Sequence, residues 1–217
     1  MSIWQWLLFD LDGTVSDPAV GITRSVIHAM QSLGYSPPSP SSIRWTVGPP
    51  LRDNFQRLVP TASRAEIEQL VAAFRARYVP IGMYENELYP DMAETLAACA
   101  AAGQTLGLAT LKPTSLARGV LKHFRLATLF SSVVGSYLDG RRDDKAKVIR
   151  RSLTVLGADP AQTVMIGDRA SDVLAARSCD IPAIGVRWGY APAVELEGSR
   201  PLAIASDPME LRSLLLP

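Results

Sequence analysis

The 217-residue sequence predicts an α/β fold, a Rossmann-like parallel sheet with helices on both faces plus an inserted all-helical block, and three observations carry that expectation. From about residue 86 onward, short apolar runs alternate with helix-length segments, the rhythm of a parallel sheet built from strand-helix units. Residues 16 to 85 read as almost entirely helical. Three apolar runs stop abruptly on a polar side chain: LLFD at Asp10, LGLAT at Thr110 and VMIGD at Asp168.

Ile3 to Phe9 reads as the first strand, because it is short, nearly all apolar and closed by the turn residues Asp-Gly. Ala19 to Leu33 is a helix stopped at Gly34, and the cluster YSPPSPSS connects it to a second helical patch near Ile43. Ser63 and Glu66 form a capping box, and Ile67, Leu70, Val71, Phe74 and Tyr78 share one face of the helix it opens. Asp91 and Glu94 open another helix, which runs to Ala102. Then follow Gly103, strand TLGLAT, a helix from Ser115 to Phe124, strand SSVVGS, a helix from Lys145 to Leu156 and strand TVMIGD. The expected division is an α/β core of residues 1–15 and 86–217 with a helical cap of residues 16–85.

Composition narrows the partners. With 47% hydrophobic residues, 20% charged residues and a net charge of +1, the chain carries no field that would draw it to nucleic acid or a membrane. The uncharged stretch Thr95 to Leu111 is broken by Gly103-Gln104-Thr105, which argues against a membrane span. Asp10 interrupts the apolar start too early for a secretory leader, and Cys99 and Cys179 read as core thiols, so a cytoplasmic location is expected. No solenoid repeat, P-loop or dinucleotide glycine pattern occurs. Oligomeric state is not encoded in any pattern visible here.

The strand ends carry the chemistry. In an open parallel sheet all carboxyl ends face one edge, where ligands bind. Asp12 follows Asp10 at the spacing that keeps two side chains on one side of an extended segment, and Asp172 follows Asp168 at helical spacing. Two carboxylates about 4 Å apart repel by about 4 kcal/mol at an effective dielectric near 20, so a cation is required. Hard oxygen ligands without a histidine cluster favour Mg²⁺, which completes its shell with water and substrate phosphate.

DLDGT at 10–14, the strand-end Thr110, Lys145 in DDKAKVI and GDRASD at 167–172 resemble, in order and spacing, the four motifs of the haloacid dehalogenase-like hydrolase superfamily. The resemblance runs from Phe9 to about Tyr190 and is strongest to the phosphoglycolate phosphatase-like branch, whose helical cap lies between the first two motifs. It implies a Mg²⁺-dependent phosphatase acting on a small phosphorylated metabolite, with phosphoglycolate favoured and 5'-nucleotides or sugar phosphates next. By that likeness Asp10 is the nucleophile that becomes an aspartyl phosphate, and Asp12 is the acid and base. Thr110, Lys145 and the backbone amides of Leu11 and Leu111 hold the transferring phosphoryl oxygens. Mg²⁺ sits on Asp10, the backbone carbonyl of Asp12 and Asp168, with Asp172 orienting that set.

The chain departs from the family pattern at Ala146, where proline often follows the motif lysine, and at Leu111, where asparagine is frequent. The second aspartate disfavours dehalogenation, and the absence of lysine from residues 16–85 disfavours phosphonate cleavage, which in this family relies on a cap lysine. A phosphomutase and a non-catalytic phosphate-sensing or partner-binding protein are the alternatives. Arg52, after the Gly48-Pro49-Pro50 connection, reads as a surface arginine or as a contact for a second anionic group of the substrate. Lys112 and Arg169 are candidates to line the pocket, and the Trp188-Gly189-Tyr190 turn either stacks near the site or packs over the sheet edge. Lys145 itself could be only a solvated lysine beside Asp143 and Asp144. His28 and His123 lack ligand spacing and read as structural.

Overall fold

The protein is described by a computed structural model covering residues 4–139 and 144–216. In chain order its elements are β1 (Trp6–Phe9), β2 (Ser16–Asp17), α1 (Ala19–Ser32), α2 (Leu51–Leu58), α3 (Arg64–Tyr78), β3 (Glu87–Leu88), α4 (Met92–Ala101), β4 (Thr105–Pro113), α5 (Thr114–His123) and β5 (Phe130–Ser136). They continue with α6 (Lys145–Leu156), β6 (Thr163–Gly167), α7 (Ala170–Arg177), β7 (Ala183–Val186), α8 (Ala193–Gly198), β8 (Ala203–Ala205) and α9 (Pro208–Leu215). The chain divides into two compact units, Met1–Asp17 with Leu88–Pro217, and Pro18–Glu87.

The first unit is the α/β one. Its six-stranded sheet has the order β5-β4-β1-β6-β7-β8, and every neighbouring pair is parallel. Each of β6 and β7 is buried at every residue, and successive strand residues point to opposite faces, so both faces of the sheet are covered. That requirement explains the unbroken apolar runs. Leu8, Ala109, Val134, Val148, Ile149 and Met165 belong to one such layer, and Phe9 meets Phe130 edge to face at 6.3 Å.

Strands β7 and β8, of four and three residues, are too short to have been read from periodicity. Strand β4 extends three residues past Thr110 to Pro113, with a register irregularity between Ala109 and Pro113. Helix α4 opens directly after Asp91 as expected, although Asp91 adopts a left-handed φ of 60° and its side chain makes no cap hydrogen bond. The first strand begins at Trp6; Ile3 lies outside the described residues, as does Asp143.

The second unit is helical. The Ser63 box is formed: Ser63 Oγ accepts from the Glu66 amide at 3.3 Å and Glu66 Oε2 accepts from the Ser63 amide at 2.8 Å. The buried face of α3 is Ile67, Leu70, Val71, Phe74 and Tyr78; Phe74 stacks on Tyr78 at 5.1 Å and meets Phe55 of α2 edge to face at 6.4 Å. The patch near Ile43 is a 3₁₀ segment, Pro40–Thr46, kinked at Ile43, and the Gly48-Pro49-Pro50 connection leads from it into α2. Glu85 accepts from Arg24 at 2.7 Å and from Arg77 at 2.8 Å.

Among the described residues, no helix is long and apolar enough to cross a membrane.

Candidate active site

Sheet order explains why distant aspartates meet. Strand β1 lies between β4 and β6, with Phe9 opposite both Leu108 and Ile166, and the Asp10 amide donates to the Ile166 carbonyl at 2.9 Å. Asp10 therefore leaves the sheet beside Gly167 and Asp168. Oxygens of Asp10, Asp168 and Asp172 all lie within 4.8 Å of one another, and all three residues are buried.

Lys145 closes this cluster. Its ammonium is 3.0 Å from Asp10 Oδ2 and 2.7 Å from Asp172 Oδ1, and its side chain is only 5% exposed, which rules out a solvated surface lysine. The sequence places it there through a helix cap: Asp144 Oδ1 accepts from the amides of Ala146 and Lys147, so Lys145 is the first residue of α6. Burial alone would lower its pKa, but the Asp10 and Asp172 carboxylates hold the ammonium above its ordinary value.

The Asp10-Asp12 loop is wound tightly. The Leu11 carbonyl accepts from the amides of Thr14, Val15 and Ser16, and the Gly13 amide donates to Ser16. Gly13 has φ +87°, and a Cβ there would come within 2.5 Å of Asp168 Oδ2, so glycine is required on both counts. Gly189 is equally confined, since a Cβ on it would overlap the Asp168 side chain and the Gly13 carbonyl. The Leu11 amide donates to Asp10 Oδ1 at 2.8 Å. It braces that carboxylate.

Asp168 is held by the Tyr190 amide, which donates to Oδ2 at 2.7 Å, while Trp188 Nε1 donates to the Thr14 carbonyl at 3.0 Å. The Trp188-Gly189-Tyr190 turn thus belongs to the site, and the Tyr190 hydroxyl bonds to Asp17. Asp172 has Lys145 on Oδ1, and the Arg169 amide donates to its Oδ2 at 3.1 Å.

Burial, joined by the charges of Asp172 and Asp10, pushes the Asp168 carboxyl up to about 7 against the pull of the Tyr190 amide. Burial raises Asp172 as well, although Lys145 opposes it. Asp168 Oδ1 is buried and accepts no hydrogen bond. A buried oxygen without a donor, in a set of hard carboxylate oxygens that repel one another, fits a bound divalent metal ion. Asp172, with one oxygen on Lys145 and the other on the Arg169 amide, fits a role in orienting such a site better than direct ligation.

On β4, Thr110 is buried and its hydroxyl accepts from the Lys112 amide at 3.2 Å; the Leu111 carbonyl accepts from Ser136 Oγ at 2.6 Å. Lys112, two residues beyond Thr110, places its ammonium 2.6 Å from Asp12 Oδ2. Burial pushes the Asp12 carboxyl above its ordinary range, against the pull of Lys112. Sequence reasoning gave Lys112 no role beyond pocket lining; the signal was its spacing from Thr110, which matches that of Asp12 from Asp10.

Two features lie outside the cluster. Arg52 makes a two-pronged bond to Glu68 at 2.6 and 2.9 Å within the helical unit. A cleft of about 700 Å³ along α5, β5 and α6 is lined by Arg118, Lys122 and Arg151 and shares no residue with the carboxylates.

Residues 7–186 match the model of the haloacid dehalogenase-like hydrolase family. The chain belongs to this family. Its sequence is 37% identical over 209 residues to a 5'-nucleotidase of Pseudomonas aeruginosa, covering 96% of this chain and 94% of that one. It is 35% identical to the tyrosine-protein kinase PtkA of Mycobacterium tuberculosis, covering 87% of this chain and 64% of that one. It is 32% identical to a phosphoglycolate phosphatase of Agrobacterium fabrum, covering 88% and 84%. The crystal structure of a predicted phosphatase from Clostridium acetobutylicum superposes with a TM-score of 0.93 at 34% identity, covering 99% of both chains. Among haloacid dehalogenase-like hydrolases the chain falls in the phosphoglycolate phosphatase-like branch.

Proposed function

We propose that this hydrolase cleaves a small phosphate monoester through an aspartyl-phosphate intermediate and uses Mg²⁺. The chain is a phosphoric monoester hydrolase of the haloacid dehalogenase-like family. The observation that carries the reading is the meeting of Asp10, Asp168 and Asp172 around Lys145, with one Asp168 oxygen buried and undonated. Such a cluster is costly unless a cation completes it.

Asp10, braced by the Leu11 amide and by Lys145, attacks phosphorus; Asp12 gives a proton to the leaving oxygen and then takes one from the attacking water. Thr110 and Lys145 hold phosphoryl oxygens, with the Leu111 amide as a further donor. Asp10, Asp168 and the backbone carbonyl of Asp12 would hold Mg²⁺, with Asp172 orienting them. When bound, the ion neutralises the carboxylates and polarises the phosphoryl group.

Phosphoglycolate, favoured by the sequence motifs, is supported by the 32% identity to a phosphoglycolate phosphatase, and nucleoside 5'-monophosphates by the 37% identity to a 5'-nucleotidase, so both head the candidate substrates. Arg52, the residue considered for a second anionic group, is bonded to Glu68 within the helical unit.

The test is phosphate release from a panel of nucleoside 5'-monophosphates, phosphoglycolate and sugar phosphates with Mg²⁺ and then with chelator. Turnover abolished by chelator is expected. Asp10→Asn should form no phosphoenzyme. No turnover of any ester, p-nitrophenyl phosphate included, or a labelled Asp10→Asn protein would refute the reading.

A further inference from the structure

We propose that Lys112 is a positioning residue that divides the two oxygens of Asp12 between two tasks, its ammonium gripping Oδ2 so that Oδ1 alone exchanges the proton with substrate and water. This rests on the reading of Asp12 as acid and base.

The two side chains are almost removed from solvent, 5% exposed for Lys112 and 11% for Asp12, and their charged atoms are 2.6 Å apart. Burying such a pair is not in itself stabilising relative to apolar residues of similar volume, so its presence calls for a use other than holding the fold. A carboxylate rotates easily about its last torsion, and an ungripped Asp12 would offer either oxygen. With the ammonium on Oδ2, negative charge is favoured on that oxygen and the proton on the other. Oδ1 is the buried atom that has no hydrogen-bond partner.

Lys112 is itself held in place. It follows Thr110 by two residues on the stretch of β4 that runs past the last β1 pairing at Leu108, and its amide donates to the Thr110 hydroxyl. One segment thereby fixes a candidate phosphate donor and the grip on the acid. The other buried lysine, Lys145, serves Asp10 and Asp172, so the lysines divide the carboxylates between them.

In the first step the Asp10-phosphorus bond forms, the ester bond breaks, and the Oδ1 proton moves to the leaving oxygen. In the second, water oxygen bonds phosphorus, one of its protons goes to Oδ1, and the Asp10-phosphorus bond breaks.

The test compares kcat/KM for an alkyl phosphate and for p-nitrophenyl phosphate in the wild type, Lys112→Met, Asp12→Asn and the double variant. Lys112→Met should lose about 10²-fold on the alkyl ester, the scale of a small misplacement of a reacting group. It should lose less than about tenfold on p-nitrophenyl phosphate, whose stabilised leaving anion needs little acid help. In the Asp12→Asn background, Lys112→Met should change neither value. Equal losses on both esters, no loss, or a further loss in the Asp12→Asn background would overturn the assignment. The double variant buries neither charge alone, whereas Asp12→Asn by itself leaves the Lys112 ammonium without its carboxylate. Thermal melts of all four proteins therefore accompany the kinetics, and the double variant is also compared directly with the wild type. A wild type inactive on both esters would instead remove the phosphatase reading beneath it.

Discussion

Asp168→Asn should cost the protein its catalysis and make its metal-free form more stable. In the fold, burial and the neighbouring Asp172 and Asp10 carry the Asp168 carboxyl from 3.8 to about 7. A displacement of that size means ionising it in the native state costs about 4 kcal/mol relative to the unfolded chain. The side chain is 1% exposed, so solvent screening takes little off that figure. Asparagine has nearly the same shape and can still accept from the Tyr190 amide, so the substitution removes the charge and keeps the hydrogen bond.

The sign of the pH dependence follows. A carboxyl whose folded pKa is raised binds its proton more tightly when native, and the stability this contributes is complete below 3.8 and lost as pH rises through about 7. Chelated wild-type protein should therefore melt progressively lower as pH rises across that window, with Asp172, raised in the same direction, adding to the decline. Asp168→Asn should flatten the decline and, at pH 8, raise the melting temperature of the chelated protein by several degrees, up to roughly 8–16 °C if the full 4 kcal/mol is recovered. Adding Mg²⁺ should raise the wild-type melting temperature and leave the variant's almost unmoved. Thermal melts by circular dichroism at a series of pH values, with chelator and with Mg²⁺, give all four quantities. If chelated wild type and variant melt together at pH 8, the cluster is not the electrostatic liability described here, and the case for a cation filling it fails.

Two further substitutions probe the same rim. Asp12→Ala should slow turnover by about 10²–10⁴-fold, the usual worth of a positioned acid and base, in steady-state assays on an alkyl phosphate; full activity would remove Asp12 from the mechanism. Gly189→Ala forces a methyl group against the Asp168 side chain and the Gly13 carbonyl, and should raise the Mg²⁺ needed for half-maximal activity by about 10–100-fold, as loss of outer support for a metal site does. An unchanged Mg²⁺ titration would show that Asp168 tolerates displacement.

Elements whose limits are set by local chemistry were legible in the sequence. The α6 bounds, Lys145–Leu156, follow from the Asp144 cap and the stop at Gly157, whose φ of 60° only glycine adopts cheaply. The α3 start follows from Ser63 and Glu66. Asp91 marks the α4 start in the same way but without a capping box, since the box requires extended backbone at the cap residue and Asp91 is left-handed. Strands β7 and β8 carry no periodic signal, and they are strands because β6 presents an edge for them to extend.

The site divides along the same line. Asp10 and Asp168 could be assigned to one edge from sequence because parallel strands end there, whereas the adjacency of β1 and β6 that brings them together is seen only in the sheet order. Lys112 was a pocket candidate, but its bond to Asp12 could not be read, since the apolar run stops at Thr110 whereas β4 continues to Pro113 past an irregularity after Ala109. Nor could the Tyr190 amide, a backbone donor that any residue but proline would supply. The residues that brace this site are therefore less visible than those that do its chemistry: a carboxylate must be an aspartate or glutamate, whereas a brace is defined by position. Lys112 combines both kinds, a fixed residue type at a position the sequence leaves open. It is for that reason the substitution most able to separate chemistry from support.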